Sequence, residues 1–435
     1  MEAEYRAVLP KSKAQWERGK PVMPGGVIKG AYYVDPFPIY IDRSEGCYLW
    51  DVDGRKYIDF AGHHTAMLLG HNHPKVVEAL QKEIERGWAL GGPTTLEAEI
   101  AEEMVQRIPA VEKVRFTNSA TESSLHLTRL ARAVSGKPKV AKFEGAYHGS
   151  HDALEISTGP SLSDAGDADS PESVAAWPGM ATGSEENVVI LPYNDPESVE
   201  LILREHQADV GGVFYDGKPG MLDIPDSFTH FIRDITKELG MLMIMDETVS
   251  FRTGYGGYQG SVGVEPDLSL FGKSVGGGLP AGAIGGKAAL MDVFDTTLDG
   301  DRVNQSGTFS GNNMTLAAGL ATLKALTPDV YKRLDDLRIR LHRGMVNVFE
   351  KAAVPCQVLS GGSLLNPFFT DQPVRDYRSA AAADNELFGR VAMGLALKGY
   401  YIGSGAMSMA LSEPMDEGHI DGLLEALVEV IEEEA

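Results

Sequence analysis

The 435-residue chain is 43% hydrophobic, carries 49 glycines and has a formal net charge of −23. That length holds two or three packed units around a large core, and the composition is that of a loop-rich globular enzyme and not of a disordered chain. The strong negative charge argues against nucleic acid or anionic membrane surfaces as partners.

The chain opens Met-Glu-Ala-Glu-Tyr-Arg, which is not a signal peptide, and no apolar run is long enough to cross a bilayer. The two cysteines, Cys47 and Cys356, lie far apart, with neither metal spacing nor a disulfide framework. A reducing cytoplasm is the expected location. Residues 1–30 start as a helix and break at Pro21, Pro24, Gly25 and Gly26. Short strands are expected at Tyr40–Ile41, Cys47–Trp50 and Tyr57–Ile58, turned by Ser44-Glu-Gly46 and Asp53-Gly54.

From Pro74, which suits a helix's first turn, the pattern changes. Helices are expected to Arg86 and over Leu96–Arg107. Strands at Val114–Phe116, Val140–Phe143, Val188–Leu191, Val210–Tyr215 and Leu242–Met245 then alternate with helices from Thr121 and Pro196 and over Phe228–Leu239. Several of these strands are apolar throughout, as strands covered on both faces are. The expected class is α/β, a mostly parallel sheet with helices on both sides. Residues 159–186, rich in Gly, Ser, Pro and Asp, read as a long loop that could serve as a lid. Beyond residue 310 the expected helices are Leu316–Leu326, Val330–Ala352 and Asp384–Lys398, with a last one after Asp416. Strands are expected near Gln357–Ser360, Asn366–Thr370 and Met407–Leu411, giving an α+β C-terminal part. The expected divisions are an N-terminal segment 1–70, a sheet-bearing large domain 71–312 and a C-terminal small domain 313–435.

The chemistry centres on the stretch Asp267 to Gly286. Leu268, Leu270 and Phe271 read as a strand, with Lys273 at its end. Gly276, Gly277, Gly278 and Pro280 follow, so no helix is expected there. A lysine in a glycine-lined turn at a strand end suits an amine that forms a Schiff base with an aldehyde. A solvated lysine in a surface turn fits the window equally. Gly272-Lys273-Ser274 lacks the upstream glycine of a P-loop. Gly272-Lys-Ser274-Val-Gly276 matches the G-x-S-x-G elbow but lacks its helix.

The strand Met241–Met245 ends in Asp246-Glu247-Thr248, where α/β sheets place ligands. If Lys273 carries a pyridoxal ring, an aspartate must keep the ring nitrogen protonated, and Asp246 is the candidate. A capping or solvated carboxylate pair is the alternative. Ser119-Ala120-Thr121 meets a helix start and offers a phosphate site, or an ordinary cap. Tyr147, in Gly145-Ala-Tyr-His148-Gly149, could lie flat on a planar cofactor or pack as a core tyrosine. Thr308 is a second candidate for phosphate. His63, His64, His71 and His73 lack the company of a zinc motif, so no metal is expected.

Together these pieces resemble the class III aminotransferases of the fold-type-I pyridoxal-phosphate enzymes. The likeness is to the branch holding glutamate-1-semialdehyde aminomutases, β-phenylalanine aminotransferases and D-phenylglycine aminotransferases. It runs through Met23-Pro-Gly-Gly26, Trp50-Asp-Val-Asp-Gly54, Leu69–Pro74, Phe116–Ser119, Lys142–Gly149, Asp246-Glu247, Phe271–Pro280 and Gly307-Thr308. The resemblance implies a seven-stranded-type sheet in the large domain and a small domain built from both chain ends. It implies pyridoxal 5'-phosphate as cofactor, with Lys273 as the Schiff-base lysine and Asp246 as the pyridinium partner. Ser119, Ala120 and Thr121 would hold the phosphate and Tyr147 would stack on the ring, with His148 and Thr248 also in the cofactor site. A homodimer is implied, with Thr308 reaching the neighbouring subunit's phosphate.

The chain departs from that family at several places. Ser-Gly-Thr is Ser119-Ala120-Thr121, so a methyl group enters the phosphate loop. The valine packed under the ring is Thr248. Val-Glu-Pro appears as Phe214-Tyr215-Asp216, and Gly-Asn-Pro as Gly311-Asn312-Asn313. The substrate-carboxylate arginine of amino-acid-using relatives is missing from Val27–Val34, where Lys29 is the basic residue and Tyr32 stands nearby. Ile402–Met409 carries no charge, so neither an arginine nor a gating glutamate lies there. A buried carboxylate without a cation costs several kcal/mol. The expected activity is therefore transfer of an amino group between an amine or (β-)amino acid and a keto acid. Three alternatives are a 2,1-aminomutase on the same residues, a serine hydrolase using Ser274, and a non-catalytic protein on this fold.

Overall fold

The computed structural model describes residues 1–218, 221–300, 302–403 and 409–434. The chain divides into two compact units, one of residues 1–74, 329–373 and 382–435, the other of residues 75–328 and 374–381.

In the first unit, two helices, Glu2–Val8 and Pro10–Gly19, stand where one was expected, because Pro10 starts a new helix after Leu9. Strands β1 (Ile41–Glu45), β2 (Tyr48–Asp51) and β3 (Lys56–Asp59) form an antiparallel meander. Just after β3, Gly62, His63, His64 and Thr65 all have positive φ, between 48° and 70°. Such a run costs about 1–2 kcal/mol for each non-glycine residue.

The second unit holds a seven-stranded sheet. Its strands are β4 (Lys113–Thr117), β5 (Lys139–Phe143), β6 (Val188–Leu191), β7 (Val210–Tyr215), β8 (Leu242–Asp246), β9 (Leu268–Gly272) and β10 (Gly282–Gly286). Their order is β4-β10-β9-β8-β7-β5-β6. β10 runs antiparallel to both its neighbours, and every other pairing is parallel. Residues alternate between the two faces. Leu268, Leu270 and Ile284 join Leu127, Leu130 and Ala131 of the Ala120–Ser135 helix in one core layer. Phe271 and Ala283 join Ile100, Met104, Leu316, Leu320 and Leu323 in the other. Helices thus cover both faces, and each fully buried leucine or phenylalanine contributes about 2 kcal/mol. The expected α/β fold with a mostly parallel sheet is what forms.

The expected boundary at 312/313 lies instead at 328/329. Leu316, Leu320 and Leu323 of the Asn313–Ala325 helix pack with Ile100 and Met104, so this helix stays with the sheet. The buried Arg107 guanidinium fastens its end by donating to the carbonyls of Leu323 and Leu326, both at 2.8 Å.

The C-terminal residues of the first unit add β11 (Gln357–Gly361), β12 (Leu364–Phe368), β13 (Tyr400–Tyr401) and β14 (Met409–Ala410). β13 pairs parallel with β3, opposing Tyr400 to Ile58, and β12 pairs with both β11 and β14. β12 begins two residues before the expected Asn366, because Leu364 and Leu365 are held by β11 and β14 together. Of the strand expected at Met407–Leu411, Met407 and Ser408 lie outside the described residues. Among the described residues no helix is long and apolar enough to cross a membrane.

Candidate active site

The adjacent parallel strands β8 and β9 end side by side, with Asp246 paired to Leu270 and the Glu247 N–H donating to the Leu270 carbonyl at 2.9 Å. Asp246 closes β8 and Lys273 follows β9 directly. Lys273 has φ +53°, a conformation that side chains other than glycine rarely adopt. Its turn corrects the expectation of no helix: Lys273–Gly276 forms one 3₁₀ turn, stopped by Gly277 at φ +60°. One such turn is short enough to tolerate the glycines, whereas an α-helix is not. Ser274, the nucleophile a hydrolase would need, is buried in this turn.

Asp246 is 3% exposed. Its Oδ1 accepts the Thr248 N–H at 2.8 Å, and its Oδ2 lies 2.8 Å from Nδ1 of the buried His148. A carboxylate only accepts, so Nδ1 carries the proton. Burial pushes the His148 imidazole below its ordinary value, and the Asp246 contact opposes that shift. The ring is therefore a neutral donor. Two buried polar atoms beside Asp246, His148 Nε2 and Thr248 Oγ1, have no partner among the described residues.

Ser119 caps the Ala120–Ser135 helix, its Oγ accepting the Glu122 N–H at 3.2 Å. The first N–H groups of a helix have no intrahelical acceptor and favour an anion. This helix start packs closely on two neighbours. A Cβ built on Gly149 would lie 2.7 Å from Thr121 Cα, and one on Gly272 would lie 3.0 Å from Ala120 Cβ and 3.4 Å from Thr248 Cγ2. Tyr147, on the loop after β5, leaves its ring 55% exposed and its hydroxyl 2.9 Å from Ser150 Oγ.

Thr308 is exposed in the single chain, and its neighbour Gly307 packs on Asn118, just before Ser119. In the first unit, the exposed Lys29 holds its Nζ 4.2 Å from the centre of the Tyr32 ring, which stacks on His64 at 5.5 Å. Among the described residues no group of three side chains could hold a metal.

The 159–186 loop is fastened near its start. Arg378 forms a two-pronged pair with the buried Glu144, at 3.0 and 2.9 Å, and donates to the carbonyls of Ala165, Gly166 and Asp167. Lys142, wholly buried on β5, donates to the carbonyls of Leu154 and Ile156 at 3.1 and 2.6 Å.

The family model for class-III aminotransferases matches residues 30–418. The chain belongs to this family. Such a chain is 37% identical, over 431 residues and 97% of both chains, to the glutamate-1-semialdehyde 2,1-aminomutase of Heliobacterium modesticaldum. Its fold matches an omega-transaminase from Sphaerobacter thermophilus with a TM-score of 0.93, at 35% identity and 97% coverage of each chain. It also matches the β-phenylalanine aminotransferase of Variovorax paradoxus with a TM-score of 0.87, at 30% identity, covering 99% of this chain and 96% of that one.

Pyridoxal 5'-phosphate is the cofactor of class-III aminotransferases, and the donor set of this aminotransferase fits it. An acid ends β8, a lysine follows the neighbouring β9, and Gly272 just before that lysine packs on Ala120 of the helix start and on Thr248; among the described residues His148 Nε2 and Thr248 Oγ1 have no partner. Sequence reasoning named His148 and Thr248 for the site, but it missed the hydrogen bond from His148 to Asp246. It gave Asp216 no role, because that residue's position depends on strand register, which sequence spacing does not encode.

Proposed function

We propose that this class-III aminotransferase moves an amino group between an amine or (β-)amino acid and a keto acid, with Lys273 as the point of covalent attachment. The observation that carries the reading is the placement of Lys273 and Asp246 at the ends of neighbouring parallel strands. Asp246 would meet the ring nitrogen, Ser119, Ala120 and Thr121 the phosphate, and Tyr147 the ring face. His148 and Thr248 would complete the cofactor site. When bound, pyridoxal phosphate supplies an electron sink at the carbon bearing the amine.

The chain's own groups do the rest. Lys273 Nζ, when free of the cofactor, would act as the base that takes and returns the proton at that carbon. Asp246 would face the ring nitrogen of the bound cofactor, and the His148 Nδ1–H holds that carboxyl in place. Lys29 and Tyr32 are proposed substrate residues, with Lys29 standing where amino-acid-using relatives carry an arginine. A homodimer, with Thr308 serving the neighbouring subunit's phosphate, and a cytoplasmic location complete the reading.

A second reading is a 2,1-aminomutase, favoured by the 37% identity over nearly the full chain to a protein of that name. The same residues would act, but the amino group would return to its own carbon skeleton. Product formation with and without an added keto acid separates the two, since an aminomutase needs no acceptor. The shared core is tested by borohydride reduction of the loaded enzyme followed by peptide mass spectrometry. The adduct is expected on Lys273 and absent from Lys273→Ala. Turnover retained by that variant overturns the assignment.

A further inference from the structure

A second buried carboxyl faces the same centre. Asp216 directly follows β7, which pairs parallel with β8 and opposes Tyr215 to Met245. The next two residues in that register are Asp216 and Asp246. Neighbouring strands lie about 5 Å apart, and residues in register send their side chains to the same face.

The backbone around Asp216 is fixed. Its carbonyl accepts the buried Tyr193 hydroxyl at 2.9 Å, and its Oδ1 accepts the Lys218 N–H at 2.8 Å. The side chain is 7% exposed. Burial pushes the carboxyl up to about 8; Asp246 and Glu247 add to that rise, while the Lys218 N–H and the Lys273 charge oppose it. The titratable groups around it are thus Asp246 and Glu247 at the end of β8, Lys273 after β9, Lys218 in its own turn, and the hydroxyls of Tyr193 and Tyr215.

A carboxyl buried beside another carboxyl resists ionising. Asp246 accepts from two donors, His148 Nδ1–H and Thr248 N–H, whereas the donor to Asp216 is the Lys218 N–H. The proton therefore stays on Asp216.

We propose that Asp216 is a positioning residue of this centre, which holds a proton beside Asp246 and sets the ionisation of the Lys273 nitrogen. Below its own transition Asp216 is a neutral acid. Above it, the released proton goes to solvent, and the new carboxylate stabilises positive charge on Lys273. This inference rests on Lys273 being the attachment point.

Two measurements test it. The first uses cofactor-free protein labelled with 13C in aspartate only, so Glu247 is silent. Infrared spectra should show a protonated-carboxyl carbonyl band at neutral pH, lost near the pH at which burial places Asp216, and absent from Asp216→Asn. A wild-type spectrum without that band above pH 6 overturns the proposal whether or not Lys273 binds a cofactor. The second follows the visible absorbance of loaded enzyme against pH. Asp216→Asn keeps an acceptor for the Lys218 N–H. It should move the absorbance midpoint down by about one pH unit, and Asp216→Glu should restore it. A folded Asp216→Asn enzyme with the wild-type midpoint overturns the proposal. If that variant does not fold, the wild-type infrared spectrum decides.

Discussion

The imidazole of His148 donates from Nδ1 to Oδ2 of Asp246 across 2.8 Å, joining residues 98 positions apart. Both side chains are almost wholly excluded from water. The carboxylate that is proposed to meet the cofactor ring is thereby oriented by a neutral donor, whose other nitrogen lies at the edge of the same site.

Replacing His148 by glutamine should lower kcat about 10- to 100-fold, by analogy with residues that orient metal ligands, and should weaken cofactor retention. A pH effect follows too. Burial lowers the His148 value and pushes His151 down to about 4, so the unfolded chain binds more protons between those values and about 6.5. Stability should therefore fall as pH falls below about 6.5, and His148→Gln should flatten that slope. Denaturant titrations at a series of pH values check the sign.

Gly272 has φ −167°, extended backbone open to any residue, so space and not strain decides its identity. A methyl group there meets the methyl of Ala120. Gly272→Ala should weaken cofactor binding about tenfold, through overpacking of about 1 kcal/mol. Adding Ala120→Gly should recover most of that loss. Cofactor dissociation constants for the four proteins of the cycle measure the coupling, and independent effects would refute the contact.

Arg378 ties Glu144 to the carbonyls of residues 165–167. Arg378→Gln leaves a buried carboxylate unpaired and should cost about 3 kcal/mol. It should also speed proteolysis within 159–186 under native conditions. Denaturant midpoints and timed proteolysis report the two effects separately.

Much of the sheet was readable because β6 and β7 are apolar throughout, a pattern that follows from helices on both faces. The placement of Lys273 and Asp246 at strand ends was readable because strand ends are where α/β sheets gather polar groups. The contact between His148 and Asp246 was not, since sequence spacing holds no information on distance across 98 residues. Asp216 was visible only as an unusual residue after Tyr215, because its relation to Asp246 is a matter of strand register. The single 3₁₀ turn at Lys273 escaped because glycine and proline rules forbid a lasting helix, not one tight turn. The Asn313–Ala325 helix was assigned to the wrong unit because an apolar helix does not name the surface it will cover.

The parallel pairing of β3 with β13 has a consequence for biosynthesis. Ile58 leaves the ribosome about 340 residues before its strand partner Tyr400. The seven-stranded unit, by contrast, lies within one nearly continuous run of chain and can fold as it emerges. The β3 edge must wait, open to other chains, until Tyr400 has been made. Truncated or stalled products should therefore aggregate through that edge.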